Sequence, residues 1–218
     1  MSTTKRIVIL ANSIKHDPGR CIAGRELSAD KVPHIGGWIR PVSTVGEGEL
    51  RSPHMQVSDG RPISVLDIFD VPLVSRGADP SQPENWIIDG SVRWNRVGRW
   101  PVDRLNELAE SPVDIWCQPG SKLDRASAEF IGVNPPIQSL YLLALPKAYI
   151  HRNRWNKIRL SFTYAGIPYD LSVTDPLVRG RLERQGDDSY EVTSPRICVS
   201  LAPAFEGNHY KIVATIIE

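Results

Sequence analysis

Apolar and polar side chains alternate most regularly at residues 157–174. Ile158, Leu160 and Phe162 are separated by charged or hydroxyl-bearing residues, and the alternation resumes after an Ala-Gly pair. A period of two residues places one face of a strand in a core and the other in solvent. The pattern therefore predicts a β-hairpin that turns at the Ala-Gly pair.

Shorter apolar runs predict the other strands. They occupy residues 5–11, 20–27, 36–43, 63–74, 85–97, 139–145, 196–201 and 210–217. Gly24 lies inside one of these runs and predicts a bulge or bend. An Asp-Gly pair within residues 85–97 predicts a second hairpin.

Few helices are expected, because 18 of the 218 residues are prolines and proline interrupts a helix interior. Residues 101–110 carry an apolar face behind a first-turn proline, and residues 175–184 begin with an Asp-Pro pair typical of a helix start. Each half of the chain therefore has about five strands and roughly one helix, the content of a small Greek-key barrel.

This content predicts a mainly β protein with two small OB-like Greek-key barrels in tandem and one or two short helices. We place an N-terminal barrel with a closing helix at residues 1–111, a turn-rich connection at 112–138 and a C-terminal barrel at 139–218. Strand counting alone also fits SH3-like or PUA-like barrels.

The charge balance limits the classes of partner. The chain has 26 basic and 25 acidic side chains and a formal net charge of +1. A protein that grips a long duplex through its phosphates is usually more basic. Any nucleic-acid site must therefore be a local patch, and the balance fits a small-ligand binder equally well.

The cysteines and the apolar runs indicate the compartment. Cys21, Cys117 and Cys198 are odd in number and widely spaced, which argues against a zinc ribbon, a dithiol motif or a secreted disulfide framework. The first apolar run is too short for a signal peptide, and no run approaches the roughly 18 residues of a membrane span. We therefore expect a cytoplasmic protein with no membrane contact, no metal and no cofactor.

Three groups of residues are candidates for binding. The first is a loop with turn chemistry, together with basic residues on nearby strands: Asn12, Ser13, Lys15, His16, Arg20, Arg25 and Arg40. Backbone N–H groups and cationic side chains in such a loop can hold a phosphate. The alternative is a solvated turn whose Asn and Ser side chains bond to their own backbone.

The second group is Trp38 with Arg40, a ring for base stacking close to a cation for phosphate pairing. A core tryptophan with an exposed arginine next to it is the alternative.

The third group lies in the most basic segment of the chain, residues 147–159, which contains no acidic residue. Its candidates are Lys147, His151, Arg152, Arg154, Trp155, Lys157 and Arg159, with Tyr149 as a further ring. Single-strand binding surfaces combine charge along the backbone with rings that stack on bases. The alternative is a solvated loop or an edge strand protected by positive charge.

No catalytic residue is assigned. Asp170, Asp175 and His209 offer carboxylates and an imidazole for acid–base or metal chemistry, but helix capping accounts for Asp175. P-loop, GxGxxG, HExxH and GxSxG motifs are missing from the sequence. The balance is therefore against an enzyme.

Six stretches, in order along nearly the whole chain, carry a family resemblance. They are ANSIKHDPGRCIAGRE (11–26), GGWIRPVS (36–43), LDIFDVPL (66–73), PENW (83–86), SFTYAGIPYDLSVTDP (161–176) and CVSLAPAFEGNHYKIVATII (198–217). Together they resemble a family of bacterial proteins described as dual OB-containing domain proteins. The resemblance implies two OB-like barrels in tandem that bind nucleic acid or nucleotides, with no assigned catalytic chemistry.

The leading interpretation is a non-enzymatic protein that binds single-stranded or modified DNA or RNA through a basic surface bearing aromatic rings. Three alternatives stay open, because a fold does not select a function. They are a sensor of a nucleotide or other small ligand in a bacterial defence or stress pathway, a nucleic-acid-processing enzyme, and a scaffold for a protein partner.

Overall fold

The chain folds into two compact units. The computed structural model describes residues 2–14, 18–30, 32–185 and 189–218. The first unit comprises Met1–Asp79 and Pro83–Leu108, and the second comprises Pro80–Gln82 and Ala109–Glu218.

The first unit is a closed β-barrel with one additional strand. Its strands are β1 (Thr3–Ile14), β2 (Arg20–Leu27), β3 (Ile35–Val42), β4 (Asp67–Arg76), β5 (Asn85–Ile88) and β6 (Asn95–Arg99), and its 3-10 helices are Ser52–His54 and Val102–Leu108. The strands are hydrogen-bonded in the order β1-β2-β3-β5-β4-β6, and β1 also pairs with β4. Strands β1 to β5 therefore form a ring, in which β3 and β5 run parallel.

Apolar side chains fill the inside of this barrel. Ile7 and Ile9 of β1 and Phe69 of β4 are fully buried, and Trp94, just before β6, is 1% exposed. The rings of Phe69 and Trp94 meet edge to face with centroids 6.0 Å apart. Each such side chain stabilises the barrel by about 1.5–3 kcal/mol when it leaves water.

The second unit carries the other strands and both α-helices of the described chain. Its elements are β7 (Arg125–Ser127), α1 (Ala128–Val133), β8 (Leu140–Ala144), β9 (Lys147–Arg152), β10 (Ile158–Tyr164), β11 (Ile167–Val173), α2 (Pro176–Gln185), β12 (Ser189–Thr193), β13 (Arg196–Phe205) and β14 (Asn208–Ile217). The sheet order is β12-β9-β10-β11-β14-β13-β8, and β7 pairs with β14.

The two units repeat one strand order. In the second unit β9, β10 and β11 pair in succession, and β12 returns to pair with β9, as β4 returns to β1 in the first unit. Strand β14 runs parallel to β11, as β5 does to β3. This is the order of a five-stranded OB barrel. The structure therefore confirms a mainly β fold of two OB-like barrels.

The predicted hairpin in the second unit is confirmed as β10 and β11, which pair from Arg159 with Ser172 to Tyr164 with Ile167. The turn residues Ala165 and Gly166 have φ of 49° and 76°. Positive φ at both central residues is the geometry of a type I′ turn, whose twist matches that of the two strands.

Some local predictions differ from the structure. The Asp-Gly pair does not form a hairpin, because β4 lies between β5 and β6 and pairs with both. The helix predicted at residues 101–110 is a 3-10 helix, which buries Leu105 and Leu108. The helix predicted at 175–184 is confirmed as α2.

The end of the first unit at Leu108 lies close to residue 111, where the sequence interpretation ends the N-terminal barrel. Residues 112–138, interpreted as a connection, instead belong to the second unit. They contain β7 and α1, and β7 extends the sheet by pairing with β14. No helix in the described part of the chain combines the length and hydropathy needed to cross a membrane.

Glu49, in the loop between β3 and β4, is an acidic residue held inside the first unit, and its side chain is 4% exposed. The carboxylate accepts hydrogen bonds from Arg51 Nη2 at 2.9 Å and from the backbone N–H of Glu47 at 3.0 Å. A bond from its own backbone N–H, followed by those from Arg51 and Glu47, lowers the pKa of the Glu49 carboxyl to about 2.

We expect the Glu49→Gln variant to be less stable than the native protein at neutral pH and to approach it in acid. The folded-state pKa lies below the ordinary value of 4.5. The carboxylate therefore stabilises the fold above that pH and loses this contribution as the pH falls toward 2. Urea denaturation of both proteins at pH values from about 7 down to 3 measures the difference. Glu183→Gln, at an exposed position of α2, is the control. A constant stability difference across the series would contradict the expectation.

Candidate functional site

Strands β9 and β10 present one polar, partly aromatic face to solvent. Tyr149 and His151 of β9 lie opposite Ser161 and Arg159 of β10. The residues between them, such as Ile150 and Leu160, are fully buried in the core of the second unit. The alternation that buries the apolar side chains therefore places all four polar or aromatic ones on the outer face.

The loop that joins β9 to β10 is held in shape by its own asparagines. Asn153 Oδ1 accepts hydrogen bonds from the backbone N–H of Trp155 at 3.0 Å and of Lys157 at 2.9 Å. Asn156 has φ of 58° and donates its backbone N–H to Asn153 O. Asn is the residue type that most readily accepts this backbone geometry after Gly.

The same loop exposes a ring and cations. Trp155 is 64% exposed, and the Arg154 guanidinium lies 4.0 Å from the centre of its ring. Arg154 and Lys157 are both exposed, and Arg152 Nη1 donates to Asn156 Oδ1 at 3.1 Å. Strands β9 and β10 form a second hairpin through this loop. We call the outward side chains of the loop and of these two strands the hairpin surface: Tyr149, His151, Arg154, Trp155, Lys157 and Arg159.

A groove of about 560 Å³ adjoins the hairpin surface. Outward side chains of β9 to β12 line it: Lys147, Tyr149, Ser161, Thr163, Asp170 and Glu191. Tyr149 forms one wall, because its hydroxyl donates to Ser189 Oγ at 2.7 Å and its ring stacks on His151 with centroids 6.0 Å apart. Tyr149 is nevertheless 45% exposed.

Asp170 of β11 ties the three strands of the outer face together. Its carboxylate accepts from Arg159 Nε at 3.1 Å and from Ser161 Oγ at 3.0 Å, and it lies 3.0 Å from His151 Nε2. Arg159 is thereby neutralised locally, while Arg154 and Lys157 project into solvent beside the groove.

The contacts of His151 do not form a nucleophile relay. Both Ser161 Oγ and Asp170 Oδ1 lie 3.0 Å from the same ring nitrogen, Nε2. A serine–histidine–aspartate relay uses the two different ring nitrogens. The contacts among His151, Ser161 and Asp170 therefore fix the orientation of these side chains on the outer face of the sheet.

Those candidates of the first unit that the structure describes do not assemble into an equivalent surface. Lys15 and His16 lie outside the described residues. Asn12 donates Nδ2 to Ile63 O at 3.0 Å, and Ser13 is 3% exposed. Arg20 pairs through its backbone with Leu50 at 2.8 Å.

Trp38 and Arg40 lie in the interior of the first unit, 5% and 7% exposed. Arg40 Nη2 forms an ion pair with Glu84 Oε1 at 3.0 Å. Arg25 Nε donates to the backbone carbonyl of Gly36 at 2.7 Å. These three side chains stabilise the barrel through their contacts and present no common binding face.

Asp170, Asp175 and His209 do not share a cleft. Asp175 is 3% exposed and accepts from the backbone N–H of Leu177 and of Ile216, both at 2.8 Å. Burial raises the pKa of this carboxyl. His209 Nδ1 lies 2.8 Å from Ala202 O, and Asp170 belongs to the outer face. Within the described ranges, no cluster of three or more His, Cys, Asp or Glu side chains is arranged to hold a metal ion.

Sequence reasoning identified the cations and Trp155 but missed the walls of the groove, which include Ser161, Thr163 and Glu191. The alternation of outward and inward side chains along β9 and β10 contained the signal that would have identified these walls. Residues 147, 149, 161 and 163 share one face once β9 and β10 are paired antiparallel.

Comparisons with known proteins agree with the strand order. The model of a family described as "Dual OB-containing domain" matches residues 5–216. Searches of curated proteins and of solved structures find no significant match.

Proposed function

Because the chain belongs to the dual OB-containing domain family, we propose that it binds single-stranded DNA or RNA through the hairpin surface and the adjoining groove of the second unit. The exposed Trp155 beside exposed cations, on a loop ordered by Asn153, is the observation that carries this proposal.

The place of the loop in the barrel supports the proposal. In OB barrels the loop between the first two strands borders the ligand-binding face. The loop between β9 and β10 holds that place, because β9, β10 and β11 pair in succession and β12 returns to β9.

The chemistry along the surface divides between the parts of a nucleotide. Arg154 and Lys157 suit phosphates, and the rings of Trp155 and Tyr149 suit bases. Asp170 and Glu191 in the groove repel phosphates, but carboxylates accept hydrogen bonds from exocyclic amines of bases. A strand whose backbone follows the loop and whose bases enter the groove satisfies both requirements.

The Trp155→Ala variant should bind a labelled single-stranded oligonucleotide about 5- to 150-fold more weakly, because stacking of one base contributes roughly 1–3 kcal/mol. Fluorescence anisotropy at fixed salt measures the dissociation constant. Arg154→Glu should weaken binding on all sequences, whereas Arg179→Glu, the same charge change on α2, serves as the control. Equal losses in both arginine variants would mean that net charge, not this surface, governs binding.

The salt dependence provides a second readout. Two to four phosphate contacts predict a slope of log K against log salt of about −1.5 to −3 for a single strand, and Lys157→Ala should reduce its magnitude by about 0.7. Binding that does not change with salt would contradict the proposal.

A second candidate is a sensor of a free nucleotide. The groove volume of about 560 Å³ lies within the range of roughly 300–1,000 Å³ typical of small-molecule sites. A dose-dependent rise in melting temperature with one mononucleotide or dinucleotide, without binding to longer strands, would favour this candidate.

A further inference from the structure

Lys211 of β14 carries a buried amine. Lys211 is 2% exposed, and its Nζ atom has no hydrogen-bond partner within the described part of the chain. Native proteins rarely bury a donor of this kind unpaired, because the lost hydration is not replaced. The environment of Lys211 therefore calls for an acceptor.

The neighbours of the amine place a thiol nearby. Lys211 Nζ lies over the ring of Tyr169, 5.7 Å from its centre, and Tyr169 Oη lies 3.1 Å from Cys117 Sγ. Tyr169 is 2% exposed, whereas Cys117 is partly exposed. The cluster thus joins a buried amine and phenol to the thiol of a partly exposed residue.

The electrostatics agree with this placement. Burial lowers the pKa of Lys211, and the negative forms of Cys117, Asp114 and Asp124 oppose that effect, Cys117 most strongly. Asp114 Oδ1 is already occupied by the backbone N–H of Cys117 at 2.8 Å. Asp124 accepts the Lys211 backbone N–H through its carbonyl at 2.9 Å.

We propose that Cys117 is a site of oxidation by peroxide, whose sulfenic acid supplies the acceptor that the Lys211 amine lacks. The sulfur attacks one oxygen of hydrogen peroxide, the O–O bond breaks, and the thiol proton leaves with the other oxygen as water. Sulfur is oxidised by two electrons and peroxide is reduced. The new oxygen forms on the sulfur that contacts the Tyr169 hydroxyl, and the Lys211 amine lies over the same tyrosine ring. This inference does not depend on nucleic-acid binding.

The chain contains its own comparison thiols. Cys21 is partly exposed, like Cys117, and Cys198 is fully buried. After treatment of the full chain with peroxide, a sulfenic-acid-specific probe such as dimedone followed by peptide mass spectrometry should label Cys117. Equal labelling of Cys21 and Cys117 would overturn the proposal.

The role of the amine is tested in the Lys211→Met variant, which keeps the buried stem and removes the donor. The sulfenic acid at Cys117 should decay about tenfold faster, as expected from loss of one charge-assisted hydrogen bond. An unchanged lifetime in a folded variant would contradict the assigned role of Lys211.

A measurement on the native chain covers the case in which that variant does not fold. Stoichiometric peroxide should raise the melting temperature by about 2–4 °C, because a buried donor gains its acceptor. The Cys117→Ser variant should show no rise. A fall in the melting temperature of the native chain would refute the proposal, since oxidation would then disrupt the core.

Discussion

Replacing Glu84 with glutamine should lower the free energy of unfolding by about 3–5 kcal/mol, the usual cost of breaking a buried ion pair from one side. Arg40 Nη2 and Glu84 Oε1 are 3.0 Å apart, and their side chains are 8% and 3% exposed. Glutamine keeps the shape of the side chain but removes its charge, so the buried guanidinium loses the Glu84 carboxylate. Urea denaturation at neutral pH, followed by a probe of the first unit, measures the loss.

The exposed pair of Arg104 and Glu107 is the matched control. It is 2.7 Å long with side chains 41% and 45% exposed, so Glu107→Gln should lower the stability much less than Glu84→Gln, because solvent screens an exposed ion pair. The double variant Arg40→Met with Glu84→Gln should recover part of the loss, because both charges of the pair are then removed together. A loss in Glu84→Gln as small as that in Glu107→Gln would contradict the buried pair.

These variants also separate structure from binding at Arg40. Its sequence position near Trp38 suits a binding face, whereas its contact with Glu84 is a matter of barrel stability. If the contact with Glu84 is its main role, a folded Arg40→Met protein retains its affinity for single strands, and Trp155→Ala does not.

Local sequence patterns predicted those parts of the fold that depend on local chemistry. Alternation placed β10 and β11, and the Asp-Pro pair placed the start of α2. The Asp-Gly pair predicted the wrong pairing, because β5 and β6 do not pair with each other. Each of them pairs with β4, a strand earlier in the chain. Pairing between distant segments leaves little trace in a local pattern.

The candidate site shows the same division. The charge and rings of the hairpin surface are contiguous in sequence, so composition revealed them. The carboxylate that pairs with Arg40 belongs to Glu84 on a distant loop, and the carboxylate that neutralises Arg159 belongs to Asp170 on the next strand. Composition shows how many cations a segment has, but not which of them already have a counterion.

Replacing Gly24 with alanine should destabilise the first unit by about 3 kcal/mol or more, because the added methyl group meets backbone that cannot move aside. Gly24 of β2 pairs with Ile9, and the register of β1 shifts directly after that pair. A Cβ there would lie 1.9 Å from the carbonyl oxygen of Val8.

Gly37→Ala in β3 is the matched control for this variant, because a Cβ at Gly37 meets nothing within 4 Å. Alanine in place of a strand glycine reduces the entropy of the unfolded chain, so this variant should be unchanged or up to about 1 kcal/mol more stable. Thermal and urea denaturation of both variants measure the difference. Because the two substitutions are chemically identical, equal stabilities would show that β1 and β2 do not approach as closely as the register at Gly24 requires. A large gap would instead locate the cost in the contact between Gly24 and Val8, where the closed ring of the first barrel leaves no room for a side chain.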